Sequence, residues 1–275
     1  MSTRPAPIRR LRDEADLRAS RLDNPNFAGT LAKGLMVLQA FVQEPRPLAN
    51  SELAARLKLP RPTVSRLCRT LMEMGYLDHD DRLDRYFIGP AAVALGYPYV
   101  VHTPMLESAR PLMQALADQV EGAVSLGVAV DLDVVYIETC ARERGSLARP
   151  AVGAIHSVAA TAMGRAWLGS LPPRECADTL RRLRRERPQE MQRCAAGVEA
   201  SLAEHPQRGF AVNLGDAGMG VRAVGVASRL NYGARQLLFN CAIPGTRIKT
   251  ADLIGRVGPR LHELVRLLER NHGLR

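Results

Sequence analysis

Apolar residues fall at helical spacing early in the chain. Leu31, Leu35, Leu38 and the adjacent Phe41 and Val42 recur every three or four positions, with Thr30 as a candidate N-cap and Pro45 and Pro47 as stops. A shorter amphipathic segment over 51–57 sets Leu53, Ala54 and Leu57 on one side, behind a candidate Ser51 cap. The turn Lys58-Leu59-Pro60 interrupts it. A third helix opens at Arg61 and Pro62, since proline suits the first helical turn. Its apolar stripe is Val64, Leu67, Cys68, Leu71 and Met74, and Gly75 stands where a C-terminal cap belongs. Two β-prone stretches, 76–79 and 85–88, flank the polar segment 80–84 and predict a hairpin. Gly89-Pro90 ends it, and a linker helix from Pro90 is expected to break near Gly96 and Pro98.

After residue 104 the pattern changes. A helix is predicted over 104–120, then a β-hairpin from 122–130 and 134–139 around Asp131-Leu132-Asp133. Residues 158–170 are small and apolar and predict a buried helix, and 173–205 predict surface helix. Strands are expected at 210–213, 221–228 and 236–242, before a closing amphipathic helix carrying Leu253, Val257, Leu261, Leu264, Leu267 and Leu268. Strands joined through turns, with helices between them, indicate an α+β fold with a largely antiparallel sheet in this half.

Composition narrows the class. The 275 residues suit two domains, and 46% apolar content rules out global disorder. No apolar run approaches the roughly 18–20 residues of a membrane span. The first 26 residues are rich in arginine and proline without an apolar core, which predicts a disordered basic arm over 1–27 and no secretory signal. Five scattered cysteines (Cys68, Cys140, Cys176, Cys194, Cys241) show no C-x-x-C spacing, which argues against a disulfide framework or structural zinc and for the reducing cytoplasm. The formal charge of +10 favours a polyanionic partner. It is locally dense at Arg46, Arg56, Lys58, Arg61, Arg66 and Arg69, against Glu52. A second cluster, Arg181 to Arg187, reads as a solvated helix face.

Three helices and a hairpin over 28–89 follow the order of a winged helix-turn-helix. In that arrangement the third helix is held proud and enters the major groove of double-stranded DNA. Once its apolar stripe is set aside, this helix offers Arg61, Thr63, Ser65, Arg66, Arg69 and Thr70, with no carboxylate before Glu73. Arginines and short hydroxyls are donors for phosphates and base edges. Arg82 and Arg85 on the hairpin are placed to reach phosphates beside the groove. A plain helical bundle with a solvated basic face is the competing reading.

These stretches resemble a known family. The segments 31–35, 51–57 (Ser-Glu-Leu-Ala-Ala-Arg-Leu), 59–67, 69–71 and 75–77 look like the DNA-binding half of IclR-type bacterial transcriptional regulators. Looser likeness continues through 161–166, 209–213 and 220–224, so that it covers about 28–270. The resemblance implies that 104–275 is a GAF-like domain that binds a small organic acid or aromatic metabolite and oligomerises. By connectivity, a linker helix and loop over 90–103 joins the domains, and the helix near 90–96 is the expected relay, since any change between them must pass it. The resemblance further implies homodimers or homotetramers on palindromic promoter sites, with recognition helices about one duplex turn, roughly 34 Å, apart or a multiple of it.

Carried over from the family, the effector pocket comprises His156, Thr161, Ala162, Met163, Asn213, Val221 and Ala223. Met163, Val221 and Ala223 offer apolar wall, Thr161 and Asn213 polar points, and Ala162 room, as a small-molecule site requires. The chain departs from the family at Ala159, where a histidine is frequent, at Asn213, where some members have aspartate, and at Ala223, where some have cysteine. His156 is either a hydrogen-bond partner for an acidic effector or a loop histidine satisfied by backbone. No metal-ligand spacing of histidines, nucleophile elbow or phosphate-binding loop is present, so no cofactor, metal or catalytic residue is expected. The alternatives are a small-molecule enzyme with an accessory basic module, and a non-specific nucleic-acid packaging protein with strongly salt-dependent affinity.

Overall fold

The computed structural model describes residues 24, 26–101, 103, 105–142, 150, 152–216, 218 and 220–274. The expected disordered arm therefore lies largely outside the described residues. Phe27, at its end, packs against the first core. The chain forms two compact units, divided between residues 102 and 103.

In the first unit, α1 (Gly29–Gln43), α2 (Asn50–Leu57) and α3 (Arg61–Glu73) are followed by the hairpin of β1 (Leu77–Asp80) and β2 (Arg85–Ile88), then α4 (Pro90–Val101). The three first helices bury Met36, Val37, Phe41, Leu53, Leu57, Val64 and Cys68 against one another, whereas Leu31, Leu35 and Val42 of the expected α1 stripe are exposed. β1 and β2 pair antiparallel from Leu77 opposite Ile88 to Asp80 opposite Arg85. Leu48 joins β2 through an isolated bridge to Tyr86.

Local details differ from the sequence reading. Thr30 and Ser51 lie inside their helices; the N-cap positions are Ala28 and Ala49. Glu52 instead reaches back to accept the Ala49 N–H at 2.8 Å, satisfying a donor that no side chain caps. Met74 is exposed, because the helix has ended at Glu73 and turned away from the core. The linker helix does not break: α4 continues through both Gly96 and Pro98.

The second unit begins with α5 (Met105–Val120), β3 (Ala123–Val130) and β4 (Asp133–Ala141). Next come β5 (Ile155–Ser157), α6 (Ala162–Ser170), α7 (Pro173–Glu186) and α8 (Pro188–Arg208). The strands β6 (Ala211–Asn213), β7 (Val221–Tyr232) and β8 (Arg235–Pro244) follow. A short helix α9 (Thr250–Asp252), a π-helical turn over Leu253–Val257 and α10 (Gly258–Asn271) close the chain. One six-stranded sheet, ordered β5-β4-β3-β8-β7-β6, has every neighbouring pair antiparallel. The fold is thus α+β, as expected. β3 is buried along six consecutive residues, so both faces of the sheet are covered at its centre. The 158–170 segment is not all helix: 158–160 form a turn, Thr161 caps α6, and the short strand β5 precedes it.

Candidate functional site

Lys58, in the left-handed region at φ 53°, turns the chain sharply between α2 and α3, and Pro60 sets the N-terminus of α3. Val64 and Cys68 are fully buried, and Leu67 and Leu71 are partly so. The opposite face stands free. Arg61, Ser65, Arg66, Arg69 and Thr70 are exposed and Thr63 is half-buried. Arg69 is 84% exposed and lies 3.7 Å from Glu73, a contact too loose and too wet to hold it. The Thr70 hydroxyl donates to the Arg66 carbonyl at 3.2 Å. Ser65 also reaches the Tyr86 hydroxyl on β2, which ties the helix to the hairpin. Among the described residues, neither Arg61 nor Arg66 makes an ion pair.

The two hairpin arginines differ. Arg82 is exposed at the turn, where Asp80 Oδ1 accepts the backbone N–H groups of Arg82 and Leu83 at 2.9 and 3.1 Å. Arg85 lies along the domain instead, 2.5 Å from Glu52 and 3.3 Å from the Pro47 carbonyl. Glu52 also meets Arg46 at 3.0 Å, and Arg56 meets Glu44 at 2.7 Å. The Ala49 N–H first, and Arg46 second, hold the Glu52 carboxyl down to about 2. Part of the local basic cluster is therefore neutralised internally, and the free donors concentrate on α3.

In the second unit a cavity of about 240 Å³ is lined by Tyr136, Pro150, His156, Thr161, Ala162, Asn213, Val221, Ala223, Asn240 and Ala242. Six of the seven carried-over positions meet there. The seventh, Met163, is fully buried in the adjoining core. Sequence reasoning missed Tyr136, Pro150, Asn240 and Ala242. Sheet parity carried a signal for some of them. Asn240 and Ala242 share a face of β8, Ala242 pairs with Ala223, and Ala223 with Asn213.

The polar groups of the cavity fall into two kinds. Thr161 Oγ1 accepts the Gly164 N–H at 3.0 Å and donates to the Ser157 carbonyl at 3.2 Å. Asn213 donates to the Ala160 carbonyl at 2.6 Å and accepts the Gly215 N–H at 2.8 Å. These two hold backbone in place. Tyr136 hydrogen-bonds Asn240, and burial pushes its hydroxyl above the usual phenol range. Asn240 lines the cavity and is itself buried, and its Oδ1 has no hydrogen-bond partner among the described residues. His156 packs edge-on to Tyr136 with ring centroids 5.4 Å apart. Burial lowers its pKa, and Asp133 partly offsets this. Neutral imidazole, amide and phenol groups on apolar walls can bind and orient a small molecule.

Two features fix these walls. The buried Arg165 donates to the carbonyls of Ala159 at 2.9 Å and Val212 at 3.0 Å, and meets Asp216 at 2.5 Å. It thereby joins the α6 entry to β6. Gly225 lets β7 approach the start of α6; a Cβ there would stand 2.3 Å from the Ala162 carbonyl carbon and oxygen. Elsewhere, burial pushes the Cys68 and Cys241 thiols up to about 12, so neither is a thiolate at neutral pH. Among the described residues, no cluster of three or more His, Cys, Asp or Glu could hold a metal ion, and no helix is long and apolar enough to cross a membrane.

Comparison with known proteins gives matching likenesses in both units. Residues 30–81 match the IclR helix-turn-helix domain, and 97–270 match the bacterial transcriptional regulator IclR C-terminal domain. The HTH-type transcriptional regulator TsaQ1/TsaQ2 of Comamonas testosteroni is 29% identical over 240 residues, covering 86% of this chain and 85% of that protein. The crystal structure of an IclR family transcriptional regulator from Brucella abortus superposes with a TM-score of 0.81 at 30% identity, covering 91% of this chain and 95% of the other. An IclR homolog from Microbacterium hydrocarbonoxydans, crystallised with 4-hydroxybenzoate, shares the fold at 18% identity and a TM-score of 0.63, covering 86% and 99%.

Proposed function

The chain belongs to the IclR family of bacterial transcriptional regulators, and on that premise we propose how this DNA-binding, effector-modulated regulator uses its two units. The first unit docks α3 in the major groove of promoter DNA. Arg61, Thr63, Ser65, Arg66, Arg69 and Thr70 face the duplex, with Arg82 reaching a flanking phosphate. Arg85 supports the hairpin through Glu52. The second unit binds a small organic acid or hydroxyaromatic compound in the cavity. His156 meets an oxygen of the ligand, and a ligand hydroxyl donates to Asn240 Oδ1. The protein acts in the cytoplasm, without catalysis, as a homodimer or homotetramer on a two-fold site. Control then requires that the effector bind the DNA-competent and DNA-incompetent arrangements with unequal affinity.

The observation that carries this reading is the exposed ridge of donors on α3, opposite a stripe that anchors it. Footprinting on the DNA upstream of the protein's own gene, with and without 4-hydroxybenzoate and related small acids, is the test. A protected site of two related halves, whose occupancy changes with one of these acids and not in His156→Leu, supports the reading. Uniform protection without a site contradicts it.

A further inference from the structure

His156 rides on a strand of only three residues. Among the described residues, β5 lies at the edge of the sheet and pairs with β4 alone, through Asp133 opposite Ser157, Val134 opposite His156 and Val135 opposite Ile155. Three paired residues supply few ladder bonds, extended by backbone bonds of Gly153 and Ala154 with Tyr136 and of Val158 with Leu132. Both residues of the first matched pair are also tied to the start of α8. The Ser157 hydroxyl donates to the Glu190 carboxylate, and Asp133 Oδ1 accepts from Arg187 Nη1 at 2.7 Å. This second pair is well sheltered, with side chains 7% and 15% exposed. No side chain of α8 lines the cavity.

We propose that Arg187 and Glu190 are positioning residues for the effector cavity: Glu190 ties β5 through Ser157, and Arg187 ties β4 through Asp133 and neutralises that carboxylate, so that His156 meets its ligand as an uncharged imidazole. The proposal rests on reading the cavity as the effector site. On β4, Tyr136 packs against His156, while Asp133, next to the register partner Val134, is turned to the other face, where Arg187 binds it and Glu190 holds Ser157. One step further along, Asp131 pairs with Arg182 of α7 at 2.6 Å. A carboxylate beside an imidazole favours the imidazolium, and a guanidinium bonded to that carboxylate opposes this. Burial already favours the neutral ring, and Asp133 is the charge that pulls the other way.

The two members of the pair should therefore act on His156 with opposite sign. The test is an NMR titration of the full-length protein with isotope-labelled histidine, the His156 signal being identified by its loss in His156→Gln. Arg187→Met should move the His156 midpoint upward, and Asp133→Asn should move it downward. Arg182→Met removes a comparable pair from the same turn and should leave the midpoint unchanged. A merely structural Arg187 would lower thermal stability without these opposed shifts. An unmoved midpoint in Arg187→Met, or an equal shift in Arg182→Met, overturns the proposal. Should Arg187→Met not fold, Asp133→Asn decides alone, and no downward shift overturns it. The titration needs no effector. Adding 4-hydroxybenzoate to the same sample, and looking for movement of the His156 signal, tests the effector reading separately.

Discussion

Arg66 and Arg85 both belong to the first unit, and their surroundings differ. Arg66 stands exposed on α3, whereas Arg85 is bound to Glu52, 33 positions earlier in the chain. A charge pattern shows which side chains are cationic. It does not show which carboxylate will fold back onto them, so the sequence placed both arginines on one interface. Arg85→Met should lower thermal stability, by about 0.2–1 kcal/mol for a half-exposed pair, with little change in DNA affinity. Differential scanning calorimetry beside DNA-binding isotherms separates the two effects. Glu52 carries a pH signature. Its carboxyl is held at about 2, below the ordinary 4.5, by the Ala49 N–H and then Arg46. The unfolded chain therefore takes up the proton first as pH falls. Stability from Glu52 is complete above about 4.5 and is lost as pH falls toward 2. Glu52→Gln should flatten the stability profile across that window, as read from denaturant melts at stepped pH.

At the scale of elements, the helices and strands were legible, while the buried face of α1 and the partnerships were not: Ala32, Met36, Val37 and Ala40 are buried there in place of Leu31, Leu35 and Val42. The helices of the first unit, the hairpin over the acidic turn and the long strands β7 and β8 follow from spacing of 3.6 or 2. Helix α4 shows the limit of punctuation: Pro98 removes one backbone donor, and the helix continues across it. β5 was missed because three residues are too few to show a period; its partner β4 defines it. The cavity was legible at the positions that the family pattern marks. Tyr136 and Asn240 enter it because strand register brings them there, and register is a tertiary outcome. Gly225 has the same origin, since only the packed structure shows what its missing Cβ avoids. Gly225→Ala pushes against backbone at the start of α6, where no flexible side chain can yield. It should cost about 1–3 kcal/mol, as overpacked cores do. It should also weaken binding of small acids, because Ala162 and Thr161 line the cavity. Thermal melts and calorimetric titration with 4-hydroxybenzoate check both outcomes.

For the whole molecule, a net charge of +10 says less than its placement. Arg182 and Arg187 are tied to Asp131 and Asp133, and Arg181, Arg184 and Arg185 face Asp178, Glu199 and Glu186. Arg182 and Arg187 thus fasten their helices to the 131–133 turn, while Arg181, Arg184 and Arg185 stay more than half exposed as a solvated face. Acid sensitivity is likewise a property of the ensemble. Burial lowers the pKa of His156, His205 and His262 below the ordinary 6.5. The unfolded chain binds those protons first, so their contribution is present above about 6.5 and is lost as pH falls through the depressed values. Urea melts between neutral pH and pH 5 should show declining stability, with the decline reduced in His205→Gln. The central claim is that α3 reads a DNA sequence. Its most direct test is fluorescence anisotropy at one fixed salt concentration, comparing the duplex upstream of the protein's own gene with a scrambled duplex. The account predicts a preference of at least about 10³-fold for the natural sequence. It also predicts that Arg66→Ala costs about 1–3 kcal/mol on that duplex alone. Equal affinity for both duplexes, or an Arg66→Ala protein that binds as the wild type does, would contradict it.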